Sequence, residues 1–208
     1  MKKLVALVLV VFLFALSYAQ NAKVTVGAER IESYLPLLKG KRVALFSNNS
    51  GRVNGKLTLD ILIKHKVKVV TIFSPEHGFR GNADAGEHVS NSVDSKTGVP
   101  IYSLYSSKNG TPDEETMKKF DLLVVDIQDV GLRFYTYYIS MVRLMDVCAI
   151  HDKRMILLDR PNPNGFYVDG PILDMKHKSG VGYLPIPIVH GMTLGELALM
   201  VNGEHWLP

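Results

Sequence analysis

Short apolar runs rich in β-branched residues alternate with stretches of helical hydrophobic spacing along most of this chain. This alternation is typical of parallel strands joined by crossover helices. The apolar runs have no polar face, which suits a sheet covered by helices on both sides. The predicted strands are 42–47, 67–73, 100–104, 121–127 and 155–159. The predicted helices are 31–38, 58–66, 112–119, 135–151 and 194–201. The fold class is therefore α/β, a Rossmann-like open and mostly parallel sheet with helices on both faces.

Two of the predicted helices carry a start signal. Thr111 with Glu114, and Thr193 with Glu196, each place a threonine three residues before a glutamate, as in a capping box. A structural role at the helix start is therefore the better interpretation of Glu196. The longest irregular segment is predicted at 74–99, and a loop of that length in a compact domain is usually functional or mobile.

The first residues have the three parts of a secretory signal peptide: two lysines, an apolar stretch over 4–16, and small residues up to Ala19. We expect cleavage after Ala19, which leaves residues 20–208 as one Rossmann-like domain. The apolar stretch is shorter than the roughly 20 residues of a membrane-spanning helix, so no stable membrane anchor is expected after cleavage. The mature protein is expected to be exported to the periplasm or the exterior of a bacterial cell.

Charge and cysteine content exclude other classes of protein. The sequence has 24 basic and 20 acidic side chains, and loss of Lys2 and Lys3 would leave 22 and 20. The basic residues are scattered along the chain, whereas a nucleic-acid-binding protein normally has a basic stripe or cluster, so nucleic acid is not an expected partner. Cys148 is the only cysteine, so an internal disulfide is impossible, and its helical context predicts a buried apolar residue.

Polar segments follow the four main predicted strands at the point where each strand ends. In an open parallel sheet, ligands bind beyond these carboxyl ends. The segments contain carboxylates, an imidazole, two arginines and several amides, the side chains that a sugar-binding site with acid–base chemistry needs. Turn formation explains the asparagines and glycines, but it does not explain Glu76, His77, Gln128 or Arg133. The segments are 48–51, 74–78, 128–133 and 160–165.

Two missing motifs narrow the function further. The residues after the first strand contain neither the glycine-rich turn of a dinucleotide fold nor a phosphate-binding loop, so we expect no nucleotide and no other cofactor. A nucleotide-dependent enzyme is therefore disfavoured. The chain also lacks the Gly-x-Ser-x-Gly turn of α/β-hydrolase esterases.

Four motifs, in order and spacing, resemble one family. They are SPEHGFRG at 74–81, DIQDVGLRFYTY at 126–137, LDRPNPNG at 158–165 and HGMTLGEL at 190–197. From about Val26 to its end, the chain is similar to the exo-β-N-acetylmuramidases, glycosidases long catalogued as a domain of unknown function. The resemblance implies hydrolysis of the β-1,4 bond after a non-reducing terminal N-acetylmuramic acid in peptidoglycan fragments. It also implies a smaller C-terminal domain, which we expect to be missing from this truncated chain.

Glycoside hydrolysis commonly uses two carboxyl groups, although an acetamido group of the substrate can replace the second. Glu76 is the candidate acid–base because it follows an apolar strand, where partial burial raises a carboxyl pKa. A loop-stabilising hydrogen bond is the alternative. Asp126 or Asp129 would orient the acetamido group or act as the second catalytic group. For Asp126, a structural ion pair with Arg133 or Arg160 is an equal alternative.

The remaining candidates would position a catalytic carboxyl or bind the sugar. His77 would orient a carboxyl, and an arginine would pair with the lactyl carboxylate of muramic acid. Aromatic faces stack on sugars, although at helical spacing at least one tyrosine must belong to the core. No metal is expected, because the histidine spacing matches no zinc pattern. The substrate-binding candidates are Asn48, Arg80, Gln128, Arg133, Tyr135, Tyr138, Arg160, Asn162 and His190.

Two classes of function remain. The first is an exo-muramidase that acts on peptidoglycan-derived sugars, and the alternative is a non-catalytic periplasmic binding module for cell-wall sugars. The same crevice would serve both. The sequence leaves the stereochemical outcome and the oligomeric state open.

Overall fold

The structure is a computed structural model that describes residues 24–75, 79–80, 91–105, 107 and 109–207. The strands of the described residues are β1 (Arg42–Ser47), β2 (Arg52–Val53), β3 (Lys56–Leu57), β4 (Lys68–Ser74), β5 (Ser92–Val93), β6 (Pro100–Ser103), β7 (Leu122–Asp126) and β8 (Arg154–Leu157). Their α-helices are α1 (Ile31–Leu38), α2 (Thr58–Lys64), α3 (Glu114–Met117), α4 (Tyr137–Ile150) and α5 (Leu194–Gly203). Short 3₁₀ turns occur at Gly27–Glu29 and Met175–His177.

Six strands form the main sheet in the order β5-β6-β4-β1-β7-β8. All neighbours in it are parallel except β5, which pairs with β6 in the antiparallel direction at one edge. From β6 to β8 this is the doubly wound order, in which the chain moves outward from β1 first to one side and then to the other. The strand order therefore reverses between β1 and β7.

Alternate side chains of each central strand contribute to two separate cores. In β1, Val43 and Leu45 pack with side chains of α1 and α2, whereas Ala44 and Phe46 pack with those of α4 and α5. All four are completely buried, because helices cover both faces of the sheet. The predicted α/β class, with a mostly parallel sheet and helices on its two faces, is confirmed.

The helix ends test the predicted start signals. Thr193 and Glu196 form the predicted capping box at the start of α5, with hydrogen bonds of 2.8 and 3.2 Å. The capping box predicted at Thr111 is wrong, because α3 begins at Glu114 and the Asp113 carboxylate accepts the hydrogen bond from Thr116 N. Aspartate caps helix N-termini at least as well as threonine. Asp113 is therefore the N-cap residue of α3 instead of Thr111. Cys148 is buried in α4 as predicted.

The longest irregular segment lies elsewhere than predicted. Part of the predicted loop at 74–99 forms β5, which pairs with β6. The chain from Leu158 to Thr193 contains only the 3₁₀ turn and isolated bridges. Its prolines cannot donate backbone hydrogen bonds, which prevents a long strand or helix there. None of the described helices is long and apolar enough to cross a membrane.

Candidate active site

Small and acidic side chains end four neighbouring strands at the carboxyl edge of the sheet. Ser103 of β6 pairs with Ser74 of β4, and Ser47 of β1 pairs with Asp126 of β7. β1 and β4 are themselves paired up to Phe46 and Phe73, the residues before Ser47 and Ser74. All four side chains are buried. They lie at the edge, and beside the reversal of strand order, where this topology places its ligand sites.

Asp126, at the end of β7, forms a buried ion pair. Its Oδ1 accepts a hydrogen bond from Arg160 Nε at 2.6 Å, and its Oδ2 accepts one from Arg160 Nη2 at 3.1 Å. The Thr58 hydroxyl also donates to Oδ2. The side chains of Asp126 and Arg160 are 0% and 8% exposed. Of the two interpretations of Asp126, this geometry favours the structural ion pair, because protein donors occupy both carboxylate oxygens.

The turn after β1 approaches this ion pair closely. A Cβ atom at Gly51 would lie 2.8 Å from the backbone oxygen of Asp126, so a larger residue does not fit without a shift. Asn48 Oδ1 accepts hydrogen bonds from the backbone and hydroxyl of Ser50, at 2.9 and 2.6 Å. Ser50 Oγ accepts one from Gln128 N at 3.0 Å. Asn48 therefore shapes the turn and connects it to the segment after β7.

Amide side chains join the segments after β7 and β8 to the start of α5. Gln128 Nε2 donates to Pro161 O at 2.8 Å. Asn162 Nδ2 donates to Met192 O at 2.9 Å, and its Oδ1 accepts from Asn164 N at 2.8 Å. Gln128 and Asn162 thus hold the walls of the crevice together, and their contact with a substrate stays a prediction.

Asp129 is a buried carboxyl with one free oxygen. It is 5% exposed, and its Oδ1 accepts a hydrogen bond from Gly131 N at 2.8 Å. Its Oδ2 has no hydrogen-bond partner among the described residues. Burial raises the pKa of Asp129 to about 6, although the backbone N–H groups of Gly131 and Val130 act in the opposite direction. A carboxyl with such a pKa can exchange a proton near neutral pH, as a catalytic acid or base must.

His190 is hydrogen-bonded to the backbone of Gly131, the residue that also binds the Asp129 carboxylate. Its N–H donates to Gly131 O at 3.1 Å, and its ring stands 6.4 Å from that of Tyr138. His190 Nδ1 accepts a hydrogen bond from Met192 N at 3.3 Å, so the proton of the neutral ring is on Nε2. Burial lowers the pKa of His190, and Nε2 has no hydrogen-bond partner among the described residues. A neutral Nε2–H is therefore free to donate to a ligand.

The two candidate tyrosines differ in exposure. Tyr138 is completely buried, and its hydroxyl accepts a hydrogen bond from Tyr183 N at 3.1 Å. Tyr135 is partly exposed, and its ring lies 4.6 Å from that of Tyr137. Burial raises the pKa of both hydroxyls. Tyr135 is therefore the one that can present a ring face to a sugar, and Tyr138 is the core member that helical spacing requires.

The candidate arginines already have protein partners. Arg80 Nε and Nη2 donate to the carboxylate of Asp94 at 2.6 and 2.9 Å, and this pairing holds the pKa of Asp94 below its usual range. Arg133 donates through Nη1 to the backbone oxygens of Pro171 and Ile186, both at 2.7 Å. Within the described chain, no carboxylate pairs with Arg133. Of the three candidates it is the one whose charge remains open to an anion. Glu76 and His77 lie outside the described residues.

A cavity of about 900 Å³ opens beside this edge, between the segment after β6 and one face of α4. Pro75, the residue before Glu76 in the chain, is part of its wall. Asp129 and His190 are not among its lining residues. The cavity is large enough for a small ligand. We place the chemistry at Asp129 and His190, because they hold two of the three buried side-chain atoms that have no hydrogen-bond partner among the described residues; the third is Ser74 Oγ, at the end of β4.

Asp159 is a residue of this region that the sequence analysis did not single out. Its Oδ2 accepts a hydrogen bond from the Thr193 hydroxyl at 2.6 Å, and its Oδ1 accepts one from Gly195 N at 3.0 Å. A Cβ at Gly195 would lie 2.7 Å from this carboxylate. Asp159 thus fixes the start of α5 to the segment after β8. The sequence signal that could have identified Asp159 is its position directly before Arg160, at the end of a predicted strand.

Metal binding has no structural support in the part of the chain that the structure describes. No group of three or more His, Cys, Asp or Glu side chains is placed there so that it could hold a metal ion. The polar atoms of the described candidate residues instead form hydrogen bonds within the protein or have no partner among the described residues.

Comparisons with known proteins agree with this architecture. The structure is similar to two crystal structures of DUF1343 family proteins from Bacteroides fragilis NCTC 9343. One has a TM-score of 0.81 and 66% sequence identity, and covers 90% of this chain and 49% of that protein. The other has a TM-score of 0.80 and 41% identity, and covers 88% and 46%. This chain thus spans about half the length of these relatives.

Sequence comparison gives a family. The chain is 45% identical over 190 residues to the peptidoglycan β-N-acetylmuramidase NamZ of Bacillus subtilis (strain 168), which corresponds to 89% of this chain and 46% of that protein. The sequence model described as "Exo-beta-N-acetylmuramidase NamZ, N-terminal" matches residues 43–208. That match includes all the strands of the main sheet, except the first residue of β1, and the segments that follow them. The chain therefore belongs to the family of the N-terminal part of the exo-β-N-acetylmuramidase NamZ.

Proposed function

We propose that this chain carries the catalytic domain of an exo-acting glycosidase. The enzyme hydrolyses the β-1,4 bond after a non-reducing terminal N-acetylmuramic acid in peptidoglycan fragments. The observation that carries this proposal is the family match over residues 43–208, which spans the whole carboxyl edge of the sheet. The peptidoglycan β-N-acetylmuramidase of Bacillus subtilis is 45% identical to this chain, but it is about twice as long.

The proposed chemistry uses two carboxyl groups in different roles. Glu76 donates a proton to the glycosidic oxygen, so that the leaving sugar departs as an alcohol. Asp129 accepts a hydrogen bond from the 2-acetamido N–H through its free Oδ2, and the acetamido oxygen attacks the anomeric carbon. Water then opens this intermediate and returns a proton to Glu76. The free oxygen and raised pKa of Asp129 support its assignment.

Arg133 and His190 are assigned to substrate binding in this proposal. The charge of Arg133 has only neutral backbone partners among the described residues, so it is the candidate for the lactyl carboxylate. The unpaired Nε2–H of His190 would donate to a sugar hydroxyl. The ion pair of Asp126 with Arg160, and that of Arg80 with Asp94, would hold the crevice in shape.

Export completes the proposal. Residues 1–19 have the pattern of a signal peptide, and peptidoglycan lies outside the cytoplasmic membrane. The mature enzyme would meet its substrate in the periplasm or at the cell exterior. Mass spectrometry of the N-terminus of the secreted protein would detect Gln20 as the first residue.

The direct test is release of free N-acetylmuramic acid from the disaccharide in which it is β-1,4-linked to N-acetylglucosamine. The chain begun at Gln20 should release it, and Glu76→Gln and Asp129→Asn should each lower turnover by about 10²–10⁴-fold, the usual contribution of a catalytic acid or base. Glu114→Gln and Asp169→Asn are matched controls on exposed carboxylates and should stay within about twofold of the starting enzyme.

A periplasmic binding module is the second candidate, because one crevice would serve both functions. It predicts that the chain binds the disaccharide in calorimetry but releases no sugar, and that Asp129→Asn changes affinity alone. A chimera with the C-terminal half of the Bacillus subtilis relative after Pro208 separates this result from an incomplete site. If the chimera binds but releases no sugar, the enzyme assignment is wrong.

A further inference from the structure

A second cleft lies at the amino edge of the sheet, opposite the candidate active site. The ends of α1 and α2 lead into β1 and β4, which are parallel neighbours with Arg42 paired to Lys68. The two helix-to-strand turns therefore meet, and the space between them is about 650 Å³. β1 has six residues, so the two edges are about 20 Å apart at a rise of about 3.3 Å per residue.

The cleft has an apolar floor and a basic rim. Leu35, Pro36, Leu38 and Val67 form the floor. Four lysines line the rim, and Glu32 is the only acidic residue among the lining side chains. All four ammonium-bearing residues are exposed, and none forms an ion pair within the described part of the chain. The rim residues are Lys39, Lys41, Lys66 and Lys68.

The helix ends alone do not account for these lysines. Cations stabilise a helix C-terminus when its last carbonyl groups are unsatisfied. At the end of α2, Lys66 N donates to Ile63 O at 2.9 Å and Val67 N donates to Leu62 O at 3.0 Å. At the end of α1, Lys41 N donates to Leu38 O at 3.1 Å. The backbone therefore caps both helices, and the ammonium groups remain available to a partner.

Two apolar side chains in the last turns of the same two helices are also exposed, although they do not line the cleft itself. Leu37, in the last turn of α1, is 48% exposed, and Ile63, in the last turn of α2, is 38% exposed. Lysines beside exposed apolar side chains are the combination that binds the interface of an anionic bilayer, where phosphates meet acyl chains. A hydrated soluble polyanion would contact the lysines but gain nothing from the apolar residues.

We propose that this basic cleft docks the protein on a membrane surface by binding the phosphates of anionic lipids. The lysines contact the headgroup phosphates, and Leu37 and Ile63 enter the boundary with the acyl chains. Because the cleft and the candidate active site are on opposite edges of the sheet, the docked protein keeps its crevice open to the aqueous phase. The attachment is peripheral and depends on salt.

Co-sedimentation with lipid vesicles tests this proposal. The chain begun at Gln20 contains all the described helices and strands and lacks the apolar stretch 4–16, which would itself bind lipid. It should bind vesicles of equal parts phosphatidylglycerol and phosphatidylcholine at low salt, and it should not bind phosphatidylcholine alone. Binding should be lost at about 0.5 M salt, which screens exposed charges beyond a few ångströms.

Two sets of variants locate the contact. Replacing Lys39, Lys41, Lys66 and Lys68 together by Gln should weaken vesicle binding by more than about 100-fold, at roughly fivefold per lysine. The matched control replaces four exposed lysines elsewhere, Lys56, Lys118, Lys119 and Lys176, and removes the same charge. It should change binding far less. Leu37→Ser with Ile63→Ser should also weaken it, and the circular dichroism of each variant confirms folding.

Three outcomes would overturn the proposal. Equal losses in the cleft and control variants would mean that net charge alone attracts the protein. Binding to soluble polyglutamate as tight as to vesicles, and unchanged by the serine substitutions, would mean that the cleft holds a soluble polyanion. No binding to the anionic vesicles at low salt would mean that the cleft does not recognise lipid.

Discussion

Asp129 and His190 stand out among the individual residues because each has a buried polar atom without a hydrogen-bond partner among the described residues. Such atoms cost free energy of folding, commonly about 1–3 kcal/mol each. Most polar groups of the neighbouring segments avoid that cost, as Asn48, Gln128 and Asn162 show with their hydrogen bonds. The unpaired atoms of Asp129 and His190 lie together beside Gly131, as expected for atoms that a ligand satisfies, and the third unpaired atom of the described residues is Ser74 Oγ, at the end of β4.

The raised pKa of Asp129 makes stability depend on pH. Its pKa is about 6 in the folded protein and near 3.8 when unfolded, so between these values the folded state binds more protons. Stability from this group therefore falls as pH rises from about 4 to 6, by about 2–3 kcal/mol in total. Asp129→Asn keeps the acceptor for Gly131 N and removes the charge. The variant should match or exceed the starting protein in stability above pH 6, and the difference should vanish near pH 4.

Urea unfolding at a series of pH values measures this difference. Asp169→Asn is the control, since Asp169 is exposed and its Oδ1 accepts a hydrogen bond from Gly170 N, which asparagine can also accept. Its curve should run parallel to that of the starting protein. A constant difference between Asp129→Asn and the starting protein from pH 4 to 7.5 would contradict a raised pKa at Asp129.

Helix α2 is followed by a left-handed residue that is a lysine, although glycine is usual at this position. Lys66 has a φ of 59° and occupies the left-handed position of a Schellman motif, where glycine is usual. A residue with a Cβ is disfavoured there. The hairpin of β2 and β3 follows the common rule, because Asn54 and Gly55 have φ values of 49° and 77°, as a type I′ turn requires.

Replacing Lys66 by glycine should stabilise the protein by about 1 kcal/mol, because the left-handed backbone no longer carries a Cβ. Lys66→Ala is the control, since it removes the same charge and keeps the Cβ. It should change stability by no more than about 0.5 kcal/mol. Thermal unfolding of the three proteins measures both effects. Equal shifts for glycine and alanine would show that the charge matters and the backbone conformation does not.

At the scale of the whole molecule, the ion pair of Asp126 and Arg160 connects distant parts of the chain. Asp126 ends β7, Arg160 follows β8, and the Thr58 hydroxyl joins them from the start of α2. Arg160 Nη2 also donates to Arg52 O at 3.0 Å. The end of β7, the segment after β8, strand β2 and the start of α2 are thus connected through one buried ion pair.

Loss of one partner from this pair should destabilise the protein strongly. Arg160→Met leaves the Asp126 carboxylate buried without its cation, which typically costs about 3–5 kcal/mol. Asp126→Asn in the same chain removes that uncompensated charge, so the double variant should be more stable than the sum of the two single losses predicts. Urea unfolding of the four proteins of this cycle gives the coupling free energy. Strictly additive losses would mean that the two side chains do not act as a pair.

The sequence by itself determined the parallel strands, the helices and the identity of the crevice segments, but not the short strands β2, β3 and β5. Hydrophobic spacing is a local property, so it predicted β1 and α1 with their observed bounds, and the other strands of the parallel sheet and most helices to within two residues. The motif at 190–197 likewise contained its own capping box, because the cap is formed by residues three positions apart. The family resemblance followed from four such local motifs, and the comparisons confirm it.

Only the tertiary structure decided which side chains meet. The sequence offered two possible arginine partners for Asp126, Arg133 and Arg160. In the folded structure Asp126 pairs with Arg160, because β7 and β8 are neighbouring strands. The raised pKa of Asp129 depends on its burial, which is a property of the folded chain. The lysines are scattered along the sequence, and the parallel pairing of β1 with β4 brings Lys39 and Lys41 next to Lys66 and Lys68. The spacing of apolar residues along a chain specifies a helix or strand and its buried face. The local density of charge and the burial of a side chain depend instead on residues that are distant in sequence and come together only when the chain folds.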